Sequence, residues 1–460
     1  MGDEIMMEFI AHWNGVINGI VWGPPVLALL IGTGILLTVR AGFVQVRKFG
    51  VIMKHTLGSL FGPDAHKKDE SGVTPFQAVA TALASTVGTG NITGVATAVT
   101  LGGPGAIFWM WISAFFGMMT KYAEVLLAVK FREKNERNEW VGGPMYYIEN
   151  GLGWKWLAVI FAVFATIASF GIGNMTQSNS IANALQSTAG ISPMVTGILV
   201  AIGAGVVILG GIKRIAQVTE KLVPFMGLFY VVLGVATLIM NFGNLPEAFR
   251  LIFYCAFNPD AALGGATGYT IMLAIRYGFA RGVFSNEAGL GSAPIAHAAA
   301  NTDSPVKQAF WGAFEVFFDT FIICTITGLV VVSSGVWTSG LQGTSLTIAA
   351  FGNSLGSIGE WGVTIGTILF AFSTILGWSY YGEKAIEYLF KGTSLVGGVK
   401  LGYRVTFVLM TIFGAVGSLQ LVWDIADTLN GLMAIPNLIA LVALSGVVVK
   451  LTKEHFSDAE

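Results

Sequence analysis

The chain has 460 residues, of which 54% are hydrophobic and only 11% are charged, whereas ordinary soluble domains carry roughly 25% charged residues. This balance excludes a cytosolic globular enzyme, and a net charge of −1 gives no basis for nucleic-acid binding. Because a membrane span requires about 20 mainly apolar residues, the composition predicts an all-α polytopic membrane protein.

Long apolar runs separated by charged residues predict eleven membrane spans. The first six lie near residues 17–39, 75–100, 104–130, 154–185, 193–212 and 218–241. The other five lie near residues 263–290, 306–333, 360–388, 401–419 and 428–451. Residues 43–58 have the mixture of apolar and basic residues typical of a short helix in the inner interface, although a plain basic loop is the alternative. Another short helix that does not span the membrane is predicted near residues 344–356.

The basic residues are concentrated in every second loop between these predicted spans. The first such loop holds Arg40, Arg47, Lys48, Lys54, Lys67 and Lys68, and the next holds Lys130, Arg132, Lys134 and Arg137. The alternation continues to Lys450 and Lys453 after the last span. Because Lys and Arg are enriched in cytoplasmic loops, this pattern predicts an amino terminus outside the cell and a carboxyl terminus in the cytoplasm.

The predicted spans contain a hidden repeat. Without the first span, ten remain, and the loop at residues 242–262 divides them into two sets of five. Because five is an odd number, the second set enters the membrane from the opposite side, and such inverted repeats occur in many secondary transporters. The predicted organisation is an amino-terminal span with a basic interfacial helix (1–73), a first five-helix repeat (74–241), an external connection (242–262), a second five-helix repeat (263–451) and a cytoplasmic tail (452–460).

Both sets of five open with a glycine-rich segment, at residues 84–94 (ASTVGTGNITG) and at residues 264–278 (GGATGYTIMLAIRYG). Unwound backbone inside a membrane is tolerated only around a cavity. There, the amino ends of half-helices attract an anion, and free carbonyls coordinate a cation. Close helix packing is the alternative explanation for any single pair of glycines. The matched positions of the two segments predict a binding site between them.

The fourth predicted span contains a polar stretch at residues 171–179 (GIGNMTQSN). Phe170, Gly173, Asn174 and Gln177 share one face of a helix, and we expect them to point together at a central cavity. The amide of Gln177 offers an acceptor and two donors, which suits the two ends of a zwitterion. Hydrogen bonding between helices is the alternative use of such residues.

Ionisable residues inside the predicted spans are functional hypotheses by default. Arg276 lies in the seventh span, and Glu315 and Asp319, one turn apart in the eighth, are its nearest candidate partners. A purely structural ion pair is an equally good explanation of these residues, because a buried charge requires a partner of opposite charge. Lys121 and Glu124 are spaced i, i+3, and we expect them to pair with each other or to reach the interface.

Four motifs together resemble the alanine or glycine:cation symporter family, which has the LeuT-like fold of the amino acid/polyamine/organocation superfamily. They are VGTGN at 87–91, GGPMYYI at 142–148, FSNEAGLGSAP at 284–294 and GWSYYGE at 377–383. The resemblance covers nearly the whole chain. It implies a plasma (inner) membrane symporter with the five-plus-five fold and one additional amino-terminal helix. We expect the protein to function as a monomer.

The resemblance also implies a set of binding residues. The amides of Gly88, Thr89 and Gly90 would bind the substrate carboxylate, and the carbonyls of Ala84 and Thr86 would face the ammonium group or a sodium ion. A matching break in the other interrupted helix would fall at Leu273, Ala274, Ile275 and Arg276, with carbonyls that suit the ammonium group. The implied sodium ligands are the carbonyls of Ala84, Val87 and Phe370 and the hydroxyls of Ser373 and Thr374. Hydroxyls that bond back to their own helix are the alternative for this Ser-Thr pair.

The function predicted from these features is sodium-coupled import of small neutral amino acids, namely alanine and glycine, by alternating access. Its expected partners are the amino acid, co-transported sodium and membrane lipid, without nucleic acid. A proton-coupled symporter is the alternative, and it would need a titrating carboxylate in the core, for which Glu315 and Asp319 are the candidates. Neither the nucleophile or metal constellation of an enzyme nor the pore-lining rings of a channel can be recognised in the sequence.

Overall fold

The computed structural model describes residues 2–59, 74–258, 271–302 and 304–457. The amino-terminal part contains two helices where one span was predicted at residues 17–39. Helix α1 (Gly2–Val21) and helix α2 (Pro24–Arg40) meet at a bend of 40°. Proline lacks an amide hydrogen and is well suited to begin a helix, so Pro24 starts a new helix instead of continuing α1. At the bend, Trp22 Nε1 donates to the carbonyl oxygen of Asp427 (2.9 Å).

Two short helices, α3 (Val44–Arg47) and α4 (Phe49–His55), lie within the predicted interfacial segment 43–58. The next helices are α5 (Pro75–Thr86), α6 (Thr93–Gly102), α7 (Gly105–Lys130), α8 (Pro144–Leu152), α9 (Lys155–Phe170), α10 (Thr176–Ala189), α11 (Pro193–Ile208), α12 (Gly211–Met240) and α13 (Leu245–Cys255). Between α7 and α8, strands β1 (Glu133–Lys134) and β2 (Trp140–Val141) pair in an antiparallel hairpin.

The later part of the chain is also helical. It contains α14 (Ile271–Asn286), α15 (Pro294–His297), α16 (Pro305–Val316), α17 (Thr325–Ser333), α18 (Gly343–Leu355), α19 (Ser357–Leu389), α20 (Val396–Val416) and α21 (Leu419–Ser457). Helix α18 coincides with the short helix predicted near residues 344–356. Two joints are π-helical: Gly171–Met175 connects α9 to α10, and Phe317–Cys324 connects α16 to α17. Such turns are rare and often lie at functional sites.

Several helices are suited to a membrane. Among the described residues, seven are long and apolar enough to cross one, or up to eight if α1 and α2 form one bent span. The seven are Gly105–Lys130, Lys155–Ala189, Gly211–Met240, Pro305–Ser333, Ser357–Leu389, Val396–Val416 and Trp423–Ser457. Helices α6 and α11 are apolar but shorter. The protein is therefore a helical multi-pass membrane protein, and the number of eleven spans stays a prediction.

The sequence explains where helix α5 begins and where it ends. Thr74 Oγ1 accepts from the amide of Gln77, and Gln77 Oε1 accepts from the amide of Thr74, both at 3.1 Å. This capping box, with Pro75 at the first helical position, satisfies amides that the helix itself cannot. At the other end, Val87 leaves the helical conformation (φ −81°, ψ 96°) and Gly88 is extended (φ −140°, ψ −153°).

Helix α19 is buried along most of its length and approaches α5 and the π-helical joint closely. A Cβ atom on Gly377 would overlap Ser85 Oγ, and a Cβ atom on Gly173 would overlap Cβ of Trp378. Small residues allow such close contact between helices in membranes. The position of α19 relative to α5 is therefore set by direct contact near the backbone.

Gly382 of α19 makes a similarly close contact with other helices. Because this contact is distant from the interruption after α5, it allows the packing of α19 to be tested separately. A Cβ atom on Gly382 would overlap the hydroxyl of Tyr403 and lie 2.5 Å from Ser169 Oγ, two groups that bond to each other at 2.8 Å. We expect Gly382→Ala to lower the free energy of unfolding by about 1–3 kcal/mol, as other overpacked sites do. Thermal unfolding of the purified protein in detergent measures this. Gly402→Ala is the control, since no atom lies within 4 Å of its added Cβ, and equal loss in both variants would contradict the prediction.

Candidate functional site

The interruption between α5 and α6 lies in the buried interior of the protein. Thr89–Asn91 form a single 3-10 turn between the two helices. The amide of Gly88 donates to Asn91 Oδ1 (2.9 Å), and the amide of Thr89 donates to Gln177 Oε1 (3.2 Å). Two of the three backbone amides predicted to bind a carboxylate are thus held by side-chain oxygens in this conformation.

Five oxygen atoms from α5, from Val87 just after it, and from α19 lie together beside this interruption. Ser373 Oγ donates to the carbonyl oxygens of Ala84 (3.1 Å) and Phe370 (2.8 Å). Thr374 Oγ1 contacts the carbonyl oxygens of Ala84 (3.1 Å), Phe370 (3.0 Å) and Val87 (3.5 Å). The two hydroxyls therefore bond both to their own helix and across to α5. The five residues are those that the motif resemblance named as sodium ligands, and oxygen is the ligand atom that hard cations prefer. We call them the oxygen cluster.

The interruption also packs directly on α14. A Cβ atom on Gly90 would lie 2.7 Å from Cα of Ser285, so only glycine fits here without displacing α14. Asn91 Nδ2 donates to Asp319 Oδ1 (2.6 Å), and Ser285 Oγ donates to Asp319 Oδ2 (2.9 Å). Thr320 Oγ1 donates to the same carboxylate (2.9 Å). A buried carboxylate therefore joins the interruption to α14 and to the second π-helical joint.

The polar stretch of the fourth span is only partly arranged as expected. Gln177 reaches the interruption, and its Nε2 donates to the carbonyl of Ile172 (2.8 Å). Asn174 instead turns toward α20, where its Nδ2 donates to the carbonyl of Phe407. Phe170 also packs against Phe407. The expectation that these residues point together at a central cavity was wrong, because the π-helical joint adds a residue to the turn and shifts the register between Asn174 and Gln177.

The second interruption lies at a different place from the one predicted. Leu273, Ala274, Ile275 and Arg276 lie in the first turns of the continuous helix α14. An interruption there was therefore a wrong prediction, since the carbonyls of these residues face the next turn of their own helix. The glycines at 264, 265 and 268 that suggested it fall outside the described residues.

The backbone instead leaves the helix after Asn286, and residues 287–293 connect α14 to α15. Three residues in this connection have left-handed backbone, namely Glu287 (φ 59°), Gly289 (φ 94°) and Gly291 (φ 79°). The motif FSNEAGLGSAP at 284–294 carried this signal, because glycine is the residue that adopts positive φ without strain. The motif indicated the family in the sequence, and its glycines at 289 and 291 were the signal for this interruption that the prediction at residues 273–276 did not use.

Buried carboxylates support this second interruption. Glu124 Oε1 accepts from the amides of Gly289 (3.1 Å) and Gly291 (3.0 Å). It also accepts from Asn437 Nδ2 (2.6 Å), which donates in addition to the carbonyl of Gly289 (2.9 Å). Glu287 accepts from Trp378 Nε1 (2.7 Å) on α19. Both interruptions are thus attached to α19, the first through the oxygen cluster and the second through Glu287.

Lys121 does not pair with Glu124 or extend to the interface, so this expectation was wrong. Its side chain is fully buried, and its ammonium group forms an ion pair with Glu315 Oε2 (3.0 Å). The other oxygen of Glu315 contacts His297 Nε2 (2.8 Å). Lys121 and Glu124 do not pair because each has a better-oriented partner on another segment. Lys121 pairs with Glu315, and Glu124 accepts from the glycine amides of the second interruption.

Arg276 is not buried beside Glu315 or Asp319, so the predicted partners were wrong. It is half-buried, and its guanidinium donates to Asn18 Oδ1 (3.2 Å) on α1. Arg276 lines a cavity of about 190 Å³ whose wall also includes Arg281 and Asp427. Those two residues form a bidentate ion pair (2.8 and 2.6 Å). The two carboxylates of the eighth span are therefore used elsewhere in the core.

Comparisons with known proteins agree with the motifs. A sequence profile of the sodium:alanine symporter family matches residues 7–460. AgcS, the sodium/alanine symporter of Methanococcus maripaludis, is 52% identical over 455 residues, which cover 97% of this chain and 97% of that protein.

Two solved structures share the fold at low sequence identity. The crystal structure of MhsT in complex with L-phenylalanine matches with a TM-score of 0.59 at 14% identity, covering 82% of this chain and 98% of that one. The substrate-bound outward-open structure of a Na+-coupled sialic acid symporter matches with a TM-score of 0.53 at 17% identity, covering 93% and 86%. These likenesses show that the protein has the LeuT-like fold.

The support that Glu124 gives to the second interruption can be tested by substitution. Glu124→Leu removes the acceptor of two glycine amides and of Asn437, and each buried donor left unsatisfied costs about 1–3 kcal/mol. Glu124→Gln keeps an acceptor oxygen at the same place. We therefore expect thermal unfolding in detergent to show a much larger loss of stability for Glu124→Leu than for Glu124→Gln. Similar losses in the two variants would show that the amides do not depend on this oxygen.

Proposed function

Because this chain belongs to the sodium:alanine symporter family, we propose that it imports small neutral amino acids, alanine and glycine, together with sodium by alternating access. It is a membrane transporter and not an enzyme. The observation that carries the sodium part of the proposal is the oxygen cluster between α5 and α19. The basic loops support an amino terminus outside the cell and a carboxyl terminus in the cytoplasm.

In this proposal, sodium binds to the oxygen cluster formed by Ala84, Val87, Phe370, Ser373 and Thr374. The three carbonyls and two hydroxyls are close to the number of oxygen ligands that a hard cation of this size takes. Both hydroxyls now donate to carbonyls, and each can rotate its hydrogen away and offer lone pairs to the ion. The ion also meets the carboxyl end of α5, where the helix dipole is negative.

The substrate carboxylate binds at the amides of Gly88, Thr89 and Gly90 on the other side of the same interruption. It takes the place of the Asn91 and Gln177 oxygens that hold two of these amides in the present conformation. Gln177 is then free to contact the substrate, and the carbonyl of Thr86 faces the ammonium group. An anion and a cation are thus held on neighbouring backbone atoms.

Coupling follows from one shared peptide group. The carbonyl of Val87 belongs to the oxygen cluster, and the amide of Gly88 belongs to the proposed carboxylate site, so both sit on the same peptide bond. A cation on the oxygen polarises this group and makes its N–H a better donor to an anion. By linkage, each ligand must then raise the affinity for the other by the same factor.

Proton-coupled transport is the alternative function, and the position of one buried carboxylate supports it. Asp319 is a fully buried carboxylate that receives a hydrogen bond from Asn91, a residue of the interruption itself. A proton taken up there would change the hydrogen bonds of the substrate site directly. This alternative requires accumulation without sodium.

Uptake into proteoliposomes separates the two functions. Labelled alanine and labelled glycine are supplied to vesicles with an inward sodium gradient, with an inward proton gradient only, or with neither. We expect accumulation above equilibrium only with the sodium gradient. Accumulation with the proton gradient alone would show that protons, and not sodium, drive uptake. Equilibration without accumulation under all three conditions would contradict coupled transport.

The oxygen cluster makes a specific prediction for Thr374. Thr374→Val removes one oxygen and preserves the shape of the side chain, so we expect the half-saturating sodium concentration for alanine uptake to rise about 10- to 100-fold, as for loss of one charge-assisted contact. Thr374→Ser keeps the oxygen and should stay near the native value. Thr367→Val is the control, because Thr367 lies on the same helix and bonds to the carbonyl of Val363 (2.8 Å). An unchanged sodium dependence in Thr374→Val would exclude this site.

A further inference from the structure

A single buried lysine contacts both interrupted helices. Lys121 Nζ donates to Thr86 Oγ1 (3.0 Å) and to the carbonyl of Asn286 (2.9 Å), and it pairs with Glu315 Oε2 (3.0 Å). Thr86 is the last residue of α5, and Asn286 is the last residue of α14. The two hydrogen bonds and the ion pair join Lys121 to three different helices, α5, α14 and α16.

The electrostatics of this position favour a cation. The carboxyl end of a helix carries partial negative charge because its last carbonyls lack partners within the helix. The carboxyl ends of α5 and α14 meet at the same ammonium group, which also provides Asn286 with a partner for its carbonyl. The lysine therefore joins the two helices at the points where each of them is interrupted.

Neutralising Glu315 does not account for this arrangement. Glu315 has a second partner in His297, and a lysine needed only as its counter-ion has no reason to contact Thr86 and Asn286 as well. The lysine is carried by α7, a helix that is buried over most of its length and lies outside both interruptions. All of these side chains are fully buried or nearly so.

We propose that Lys121 is a positioning residue that ties the two interrupted helices together at their breaks, so that the sodium and substrate sites keep their shape during transport. This inference rests on the function proposed above. Thr86 lies between Ala84, near the end of α5, and Val87, just after it, and the carbonyls of both residues belong to the oxygen cluster. Release of the tie lets the end of α5 shift, which separates these carbonyls from Ser373 and Thr374.

The sharpest test removes only the contact with α5. Thr86→Val deletes the hydroxyl and keeps the carbonyl, the side-chain shape and the Lys121–Glu315 ion pair. We expect the half-saturating sodium concentration for alanine uptake to rise about tenfold, the factor typical of one lost hydrogen bond to a charged group, with a smaller change in maximal rate. Thr86→Ser should restore the native value. Thr237→Val is the control, because Thr237 is buried and bonds to a carbonyl of its own helix.

A second pair of variants separates positioning from charge compensation. Lys121→Met leaves Glu315 without its lysine, and loss of one member of a buried pair is strongly destabilising. Lys121→Met/Glu315→Gln removes both charges and avoids that penalty. We expect the double variant to be more stable than Lys121→Met, yet to keep a raised half-saturating sodium concentration. A double variant with native sodium dependence, or a Thr86→Val variant indistinguishable from Thr237→Val, would overturn the inference.

Measurements on the native protein distinguish a failure of the positioning role from a failure of the proposed function. If native protein accumulates alanine with sodium and the variants match it, only the positioning role fails. If native protein accumulates nothing with sodium, the proposed function fails, and alanine binding to the detergent-solubilised variants then decides the role of Lys121. Loss of affinity in Thr86→Val but not in Thr86→Ser supports the tie, and equal affinity in both contradicts it.

Discussion

Irregular backbone inside a membrane needs a polar partner for every freed amide and carbonyl, and the core of this protein is organised around that requirement. Residues 87–92 after α5 and residues 287–293 after α14 are irregular stretches of this kind. Side chains of Gln177, Asn91 and Glu124 accept from their amides. The same freed groups are what give a helical membrane protein a place to bind ions and polar substrates.

The buried charges are used mainly to satisfy backbone and to join helices. A buried carboxylate without a cationic partner is costly, but Glu124 Oε1 accepts from three oriented donors, two amides of the second interruption and the side chain of Asn437. Asp319 is placed among hydroxyl and amide donors in the same way. Lys121 is a buried cation at the meeting point of two helix ends. The hydrogen bonds and the ion pair of these groups offset the cost of burying them, and the same contacts fix the geometry of both interruptions.

The parts of this structure that could be predicted from sequence are those with a local signal. The glycines at 88 and 90 indicated the first interruption, and the family motifs named five residues that do lie together as the oxygen cluster. The second interruption was predicted at residues 273–276 because a glycine-rich segment precedes them. Helix α14 instead continues to Asn286, and the backbone becomes irregular at Glu287 and Gly289. The partners of Lys121 could not be predicted, since contacts with Thr86 and Asn286 join residues far apart in the chain and depend on how three helices pack. The π-helical joint before Thr176 leaves no periodic signal, so the direction of Asn174 was also beyond sequence reasoning.

The central claim is that sodium and the amino acid bind to opposite sides of one interrupted helix and strengthen each other. Isothermal titration of alanine into the purified protein at rising sodium concentration, with potassium replacing sodium at constant ionic strength, tests it most directly. The account predicts that the dissociation constant of alanine falls as sodium rises, and that potassium does not substitute. An alanine affinity that is the same with and without sodium would contradict it.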